Sequence, residues 1–197
     1  MTEKTLKVLF VGNSYTFYND MPHTSFTKAA KAKGYGVSVT EITQGGYRLC
    51  QFADPENEHG KRLREVINGQ QYDVAVLQEQ RLNPITNEEG FLDGVKCLKE
   101  LIDAERFVLY ATWGRNDGSP QLAQLGMTRR EMTEGLSKAY NRAAELYGMR
   151  VAEVGKAFLE YSSTHSVDEL YDPDRSHPSA IGSALAAEVI LEAVIAD

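Results

Sequence analysis

The chain has 197 residues and carries a formal net charge of −7 at pH 7. This length suits one domain of ordinary size, so a single domain over residues 1–197 is predicted. The acidic balance argues against a nucleic-acid partner and against adhesion to an anionic membrane. The two cysteines, Cys50 and Cys97, are too few for a disulfide framework, and we expect both to be reduced.

The N-terminal segment MTEKTLKVLFVGN lacks the apolar length and the cleavage site of a secretory signal. No stretch of the chain approaches the roughly 20 apolar residues that span a bilayer. We therefore expect a cytoplasmic protein, while a secreted protein whose signal had been removed would have the same sequence. The oligomeric state stays open.

Short β-branched runs alternate with longer helical stretches along the chain. Strands are predicted at 6–11, 37–42, 74–77, 107–111 and 150–154. Helices are predicted at 22–33, 57–68, 88–103, 128–147 and 179–195. This alternation predicts an α/β fold in which helices cover both faces of a five-stranded parallel sheet. The segment 114–126 is the longest predicted irregular stretch, and it is either a substrate-recognition loop or a solvated excursion.

Glycine, polar and aromatic residues that could form a binding site follow several of these strands at their carboxyl ends. They are Ser14, Gly45, Gly46, Gln78, Gln80, Trp113 and Arg115. In a parallel sheet, ligands bind beyond the carboxyl ends of the strands. The fold therefore predicts that these residues share one cleft.

Ser14 directly follows the first predicted strand in LKVLFVGNSYTFYND. Gly12 allows a tight turn there, and Asn13 tolerates unusual backbone dihedrals. A serine hydroxyl attacks a substrate only when a neighbouring base takes its proton. Taken alone, Ser14 is better interpreted as a turn or helix-capping serine, so its role depends on finding a base.

A candidate base is His177, near the other end of the chain in DPDRSHPSAIG. It precedes Pro178 and Ser179, which read as a helix start, so its ring would lie in a loop. Asp174 lies three residues earlier and is placed to bond the imidazole Nδ1, which would fix the tautomer and stabilise the imidazolium. Asp172 is a rival with a less suitable spacing. The alternative is a loop histidine that caps a neighbouring group.

A hydrolytic site also needs preorganised donors for the developing oxyanion. The segment ITQGGYRL offers the backbone N–H groups of Gly45 and Gly46, although paired glycines also suit a plain turn. The segment LQEQR offers the side-chain amides of Gln78 and Gln80. Such polar residues are unusual directly after a buried strand, which favours a role in the site.

Two further interpretations concern the remaining charged residues. Glu79 either pairs with Arg81 or Arg115 or is solvated. A metal site would draw on His165, Asp172, Asp174 and His177. Neither HExxH nor CxxC spacing is present, so we predict no metal, and no cofactor is predicted either.

Taken together, these blocks resemble the SGNH hydrolases, the superfamily that includes GDSL esterases and lipases. GNSYT is similar to the first block of the family, which implies that Ser14 is the nucleophile and that its N–H is an oxyanion donor. QGGY is similar to the second block and implies a donor at Gly46, with Gly45 as the fallback. DRSHPS resembles the last block and implies Asp174 and His177 as acid and base. The resemblance runs from the first strand to the last helix and implies a flavodoxin-like three-layer α/β/α fold.

The third block departs from the family pattern, which usually has GxND after the third strand. LQEQR stands there instead and looks similar to the QGES-type variant of some carbohydrate acetylesterases. Gln80 falls where the asparagine would be, so it is the leading third donor, followed by Gln78 and then by Asn116 in GRNDG. In the first block, Asn13 replaces the usual aspartate and Tyr15 the usual leucine.

The leading functional hypothesis is a serine ester hydrolase that cleaves small acyl esters, with an acetylated carbohydrate as the favoured substrate class. Tyr15, Tyr47, Trp113 and Arg115 are the candidate substrate-binding residues. One alternative is a flavodoxin-like domain that binds a nucleotide or flavin, although GxxxxGK[ST] and GxGxxG are both missing. The other is a non-catalytic sugar-binding domain on a hydrolase fold, which the altered third block motivates.

Overall fold

The computed structural model describes residues 5–196. Its strands are β1 (Thr5–Gly12), β2 (Gly36–Thr43), β3 (Tyr72–Leu77), β4 (Ala104–Tyr110) and β5 (Arg150–Ala152). They form one five-stranded sheet in the order β2-β1-β3-β4-β5, and every neighbouring pair is parallel. This is the strand order of flavodoxin-like folds. The predicted α/β class and the parallel five-stranded sheet are confirmed.

Helices connect the strands and follow the last one. They are α1 (Ser14–Phe17), α2 (Thr27–Ala32), α3 (Leu49–Ala53), α4 (Glu58–Ile67), α5 (Asn83–Thr86), α6 (Glu88–Leu101), α7 (Pro120–Leu125), α8 (Arg129–Tyr147), α9 (Val154–Tyr161) and α10 (Ala180–Ile195). Short 3₁₀ turns cover Tyr18–Asp20 and Val167–Leu170, and a π-helical turn covers Pro22–Phe26. The five predicted helices correspond to α4, α6, α8, α10 and the π turn joined to α2. None of the helices in residues 5–196 combines the length and the hydropathy needed to cross a membrane.

Two sequence predictions about this chain were wrong at helix starts. The segment 114–126 is not irregular throughout, because α7 occupies Pro120–Leu125. Proline suits the first turn of a helix, and Gly126 ends α7 with a positive φ of 62°. The predicted strand 150–154 ends at Ala152, and Val154 already begins α9. Helices this short carry too few turns to show a clear apolar period.

The alternating side chains of β1 explain the three-layer architecture. Leu6, Val8 and Phe10 pack into a core with α2, α9 and α10 on one face of the sheet. Leu9 and Val11 pack into a second core with α3, α4, α6 and α8 on the other face. Successive strand residues point to opposite faces, so one buried strand contributes to both cores. The sheet is therefore covered on both sides, and its carboxyl edge is left for the loops that carry the site.

Candidate active site

Ser14, His177 and Asp174 form one continuous chain of hydrogen bonds at the carboxyl edge of the sheet. The Nε2 atom of His177 lies 2.8 Å from Ser14 Oγ, and its Nδ1 lies 2.5 Å from Asp174 Oδ2. The other carboxylate oxygen of Asp174 accepts the backbone N–H groups of Ser176 and His177, both at 2.9 Å. The structure thus brings together the three residues that the sequence placed at opposite ends of the chain.

The rival carboxylate, Asp172, makes different contacts. Its backbone N–H donates to the carbonyl of His177 at 2.9 Å, which closes the loop that carries the histidine. Its carboxylate acts on Tyr18, where it adds to the effect of burial in raising the pKa of the phenol. The geometry therefore favours Asp174 over Asp172 as the partner of the imidazole.

The charge of Asp174 is stabilised where it lies. Partial burial opposes its ionisation, but the hydrogen bonds from the His177 side chain and from the N–H groups of His177 and Ser176 outweigh that effect. They hold the pKa of this carboxyl below its usual value. Asp174 is therefore ionised at neutral pH and is suited to stabilise a protonated imidazole.

Two tyrosines hold the imidazole ring in place. Tyr18 stacks on the face of His177 with ring centroids 4.4 Å apart, and Tyr15 meets it edge-on at 5.5 Å. Tyr18 was not predicted from the sequence as a residue of the site. Its position in NSYTFY, about one helical turn after the serine, could have indicated that it lies close to the site.

Asn13 fixes the position of Ser14 by joining three loops. Its side-chain oxygen accepts the N–H of Tyr15 at 3.2 Å and so caps α1. Its own N–H donates to Gln78 Oε1 at 2.9 Å, and its Nδ2 donates to the carbonyl of Tyr47 at 3.0 Å. The ends of β1, β2 and β3 are thereby held together around the serine.

Gln78 belongs to this scaffold and does not reach the cavity beside Ser14. It is 1% exposed. Its Oε1 accepts from Asn13 N and from Thr16 Oγ1, while its Nε2 donates to the carbonyl of Glu79. A Cβ at position 12 would lie 2.8 Å from Gln78 Oε1, so glycine is required there for close approach. The placement of Gln78 as an oxyanion donor is wrong, because both ends of its amide are already engaged inside the fold.

A cavity of about 180 Å³ opens beside the serine hydroxyl. Its lining residues are Asn13, Ser14, Tyr15, Gly46, Gln80, Arg81 and His177. The volume suits a small acyl group together with part of its alcohol. The loops after β1, β2 and β3 and the loop before α10 all contribute to this cavity, as the parallel sheet predicts.

Three hydrogen-bond donors line the same cavity. Within residues 5–196, the N–H groups of Ser14 and Gly46 have no acceptor. Gly46 has a positive φ of 74°, a conformation that favours glycine. Gln80 uses its Oε1 to accept the N–H groups of Leu82 and Asn83 at 3.1 and 3.3 Å, which leaves its Nε2 available to a ligand. Gly46 and Gln80, the leading donors from the sequence, therefore both lie at the cavity.

The two other fallback donors lie outside this cavity. Asn116 is 3% exposed, and its Nδ2 donates to Asp168 Oδ1 at 2.7 Å. It lines a separate cavity that also involves Tyr171 and Arg175. Gly45 is exposed and is not among the residues that line the cavity at Ser14. Asn116 and Gly45 are therefore not placed to act as oxyanion donors, and the prediction of them as alternative donors is corrected.

Trp113 packs beneath the residues of the site as a buried ring and has no exposed face on which a sugar could stack. It is 0% exposed and is stacked between Tyr15, at 4.8 Å, and Phe158, at 4.2 Å. Its Nε1 donates to the carbonyl of Ser176 at 3.0 Å and so anchors the histidine loop. Tyr15 lines the cavity, but its ring is buried in the same stack. The prediction that Trp113 contacts substrate is wrong because its ring is covered on both faces.

The remaining two candidate substrate-binding residues also lie outside the cavity lining. The Tyr47 ring packs against Phe52 and His59. Arg115 is buried and is not among the residues that line the cavity. Arg81, which was predicted from the sequence only as a possible partner for Glu79, lines the cavity instead.

Glu79 forms no ion pair within residues 5–196, and it is not solvated. Its side chain is 0% exposed and accepts the N–H groups of Leu49 and Gln80. Burial raises the pKa of this carboxyl to about 7, although those two hydrogen bonds partly oppose the shift. Both interpretations offered for Glu79 from the sequence are wrong.

The metal-ligand set considered from the sequence does not converge in the described part of the chain. His165, for example, stacks on Tyr161 with ring centroids 4.2 Å apart. The potential ligand atoms that do meet belong to Asp20, His23 and Glu41, and they lie within 4.8 Å of one another. This trio is partly exposed and lies outside the lining of the cavity at Ser14.

A serine, histidine and aspartate joined at the carboxyl edge of a flavodoxin-like sheet define the class of SGNH-type hydrolases. A solved structure from Slackia heliotrinireducens, described as a candidate SGNH hydrolase, is 31% identical, with 96% of this chain and 98% of that chain covered and a TM-score of 0.81. The chain belongs to the SGNH hydrolase superfamily, and the sequence-based assignment to these ester-cleaving enzymes is confirmed.

More distant structures share the fold. A lipase/acylhydrolase from Enterococcus faecalis is 16% identical, with 95% of this chain and 94% of that chain covered and a TM-score of 0.72. An acetylxylan esterase from Geobacillus stearothermophilus is 19% identical, with 98% and 95% covered and a TM-score of 0.64. No protein-family model matches the sequence, and no curated protein does.

Proposed function

We propose that the protein is a serine esterase that releases small acyl groups, above all acetyl groups, through an acyl-enzyme at Ser14. The observation that carries this proposal is the hydrogen-bonded chain from Asp174 through His177 to Ser14. A hydroxyl 2.8 Å from an imidazole nitrogen that is itself oriented by a carboxylate is the arrangement that activates a serine nucleophile.

The reaction begins when Ser14 Oγ attacks the ester carbonyl carbon and its proton moves to His177 Nε2. The carbonyl oxygen becomes an oxyanion that the N–H groups of Ser14 and Gly46 and the Nε2 of Gln80 stabilise. When the tetrahedral intermediate collapses, His177 donates its proton to the departing alcohol, and the acyl group stays on Ser14.

Water then completes the cycle. A water molecule attacks the acyl carbon while His177 takes one of its protons. The second tetrahedral intermediate collapses, the proton returns to Ser14 Oγ, and a carboxylic acid leaves. Asp174 stays ionised throughout and stabilises the imidazolium that forms in each half of the reaction.

The size of the cavity supports a small acyl group, since about 180 Å³ has no room for a long chain. A carbohydrate ester is the favoured substrate class, because the third block looks similar to that of some carbohydrate acetylesterases and an acetylxylan esterase shares the fold. The nucleotide- or flavin-binding alternative and the non-catalytic alternative are not favoured. The donors and the relay around Ser14 fit acyl transfer, and neither alternative uses them.

The nucleophile is tested by covalent labelling with a fluorescent fluorophosphonate. We expect wild-type protein to be labelled and Ser14→Ala to stay unlabelled, because the hydroxyl of Ser14 is the one that the imidazole of His177, oriented by Asp174, can activate. Ser163→Ala is the matched control: the hydroxyl of Ser163 is exposed and donates to the carbonyl of Glu160, so this variant should label like wild type. Labelling of Ser14→Ala at the wild-type level would disprove the proposed nucleophile.

The third oxyanion donor is tested by comparing Gln80→Ala with Asn116→Ala. We expect Gln80→Ala to lower kcat for p-nitrophenyl acetate by about 100–1000-fold, the usual effect of losing one oxyanion donor. Asn116→Ala should have a smaller effect on kcat, because its amide bonds Asp168 away from the serine. The reverse order of the two kcat values would move the donor to the loop after β4.

A further inference from the structure

The cavity beside Ser14 carries an uncompensated positive charge. Arg81 lines it, and none of the other residues in the lining is acidic. The Nη1 of Arg81 donates to Ser176 Oγ at 2.9 Å, and that hydroxyl lies 2.6 Å from the Tyr15 hydroxyl. Arg81 forms no ion pair with another residue in 5–196. Neutral hydroxyls therefore hold this guanidinium in place without neutralising it.

The carboxylate of Asp174 already accepts hydrogen bonds from other groups of the site. Asp174 accepts hydrogen bonds from the ring and the N–H of His177 and from the N–H of Ser176. Asp174 therefore serves the histidine and makes no ion pair with Arg81.

A second guanidinium, that of Arg115, lies near the first. Arg115 is 6% exposed, and it makes no hydrogen bond or ion pair in the part of the chain that the structure describes. Its Nε is fully buried without an acceptor. Burial and the nearby charge of Arg81 lower the pKa of Arg115. A buried charge without a partner is costly, so the guanidinium of Arg115 adds a second unpaired positive charge near the half-buried guanidinium of Arg81. Two guanidiniums without a carboxylate partner favour an anionic ligand at the cavity that Arg81 lines.

We propose that Arg81, reinforced by the charge of Arg115, binds a carboxylate on the alcohol part of the substrate. This inference rests on the proposed esterase function and narrows its substrate class. An acetyl group carries no charge, so the carboxylate must belong to the alcohol part of the ester. The preferred substrates are then small acyl esters of hydroxy acids, a class that includes acidic sugars.

A different role for Arg81 makes a different kinetic prediction. If its charge only stabilised the oxyanion, its loss would lower turnover of every ester by the same factor. If it binds a carboxylate, its loss lowers the catalytic efficiency for anionic esters more than for neutral ones. The ratio between two substrates that differ only in charge therefore separates the two roles.

The experiment compares 3- and 4-acetoxybenzoate with the corresponding acetoxybenzamides, which have nearly the same shape without the charge. Acetate release gives kcat/KM for each pair. For at least one isomer we expect wild type to prefer the carboxylate by about tenfold or more, the contribution of one charge-assisted hydrogen bond. Arg81→Gln should reduce that ratio to about twofold or less, and Arg81→Lys should retain a larger share of it.

Two more variants complete the test. Arg115→Met removes the second charge without breaking a hydrogen bond, so it should fold normally and lower the ratio in part. Arg142→Gln is the control, since Arg142 lies on α8 and pairs with Glu88 on α6, and its ratio should equal that of wild type. Added salt should lower the wild-type ratio if the preference is electrostatic.

The outcomes are distinguishable. One outcome is that wild type releases acetate from the acetoxybenzamides in a reaction that depends on Ser14 but shows no preference for either acetoxybenzoate. That outcome would overturn the anion site and leave the esterase proposal standing. A preference that persists unchanged in Arg81→Gln would also overturn it. If Ser14→Ala matched wild type on every substrate, the esterase proposal itself would fail.

Discussion

Replacing Ser14 with alanine is expected to lower kcat for p-nitrophenyl acetate by roughly 10⁴–10⁶-fold, the range found when a serine-hydrolase triad loses one of its members. The alanine side chain cannot form the acyl-enzyme, so only the oxyanion donors and the bound geometry remain to assist water. Folding should be unaffected, because the N-cap of α1 is provided by Asn13 and not by Ser14. Steady-state kinetics and a thermal melt of each protein measure the two effects.

The same experiment tests whether the three residues act as one unit. His177→Ala should cost about as much as Ser14→Ala, and the double variant should be no slower than either, because both single changes interrupt the same proton transfer. Ser163→Ala should match wild type. Additive losses in the double variant would show that Ser14 and His177 act separately, and a kcat of Ser14→Ala within tenfold of wild type would disprove the mechanism.

The features that could be predicted from the sequence are those that local patterns encode. A parallel sheet forces the carboxyl ends of β1, β2 and β3 to one edge, so Ser14, Gly46 and Gln80 could be placed together without knowing any contact. Asp174 and His177 are three residues apart in one loop, so their pairing could also be predicted. The expected helix starts were right wherever a long apolar period followed.

The features that could not be predicted depend on packing between distant segments. Trp113 follows a strand just as Gln80 does, but only the rings of Tyr15 and Phe158, brought in from elsewhere in the chain, decide that it is buried. Gln78 and Gln80 both offer a side-chain amide in LQEQ, and only the family resemblance ranks Gln80 first. The difference between them arises because Asn13 and Thr16 take the amide oxygen of Gln78. Neither contact has a sequence spacing that could reveal it.

Glu79 shows most clearly how burial creates a property that the sequence does not display. A glutamate between two glutamines suggests a solvated or paired side chain, but the side chain of Glu79 is fully buried. Its carboxylate also accepts the N–H of Gln80 at 2.5 Å, so its charge state is coupled to the position of a proposed oxyanion donor. Its raised pKa therefore links protein stability to pH at the edge of the active site.

The sign of that link follows from the proton balance. The ordinary pKa of a glutamate is 4.5, and burial raises that of Glu79 to about 7 in the folded protein. Between those two values the unfolded chain releases the proton while the folded protein keeps it, so rising pH favours unfolding. The stability that the neutral form provides is fully present below about pH 4.5 and is lost as the pH rises through about 7. The difference between the two pKa values corresponds to about 3 kcal/mol in the free energy of unfolding.

Glu79→Gln should remove this dependence, because glutamine keeps an oxygen for the N–H of Gln80 and never ionises. We expect the melting temperature of wild type, relative to this variant, to fall by about 6–12 °C between pH values of about 4.5 and 8. Glu145→Gln is the matched control, since Glu145 is exposed on α8 and its loss should leave the wild-type profile unchanged. Thermal melts of the three proteins across this range measure the effect. Parallel profiles for wild type and Glu79→Gln would show that this buried carboxyl does not titrate between pH 4.5 and 7 in the folded protein.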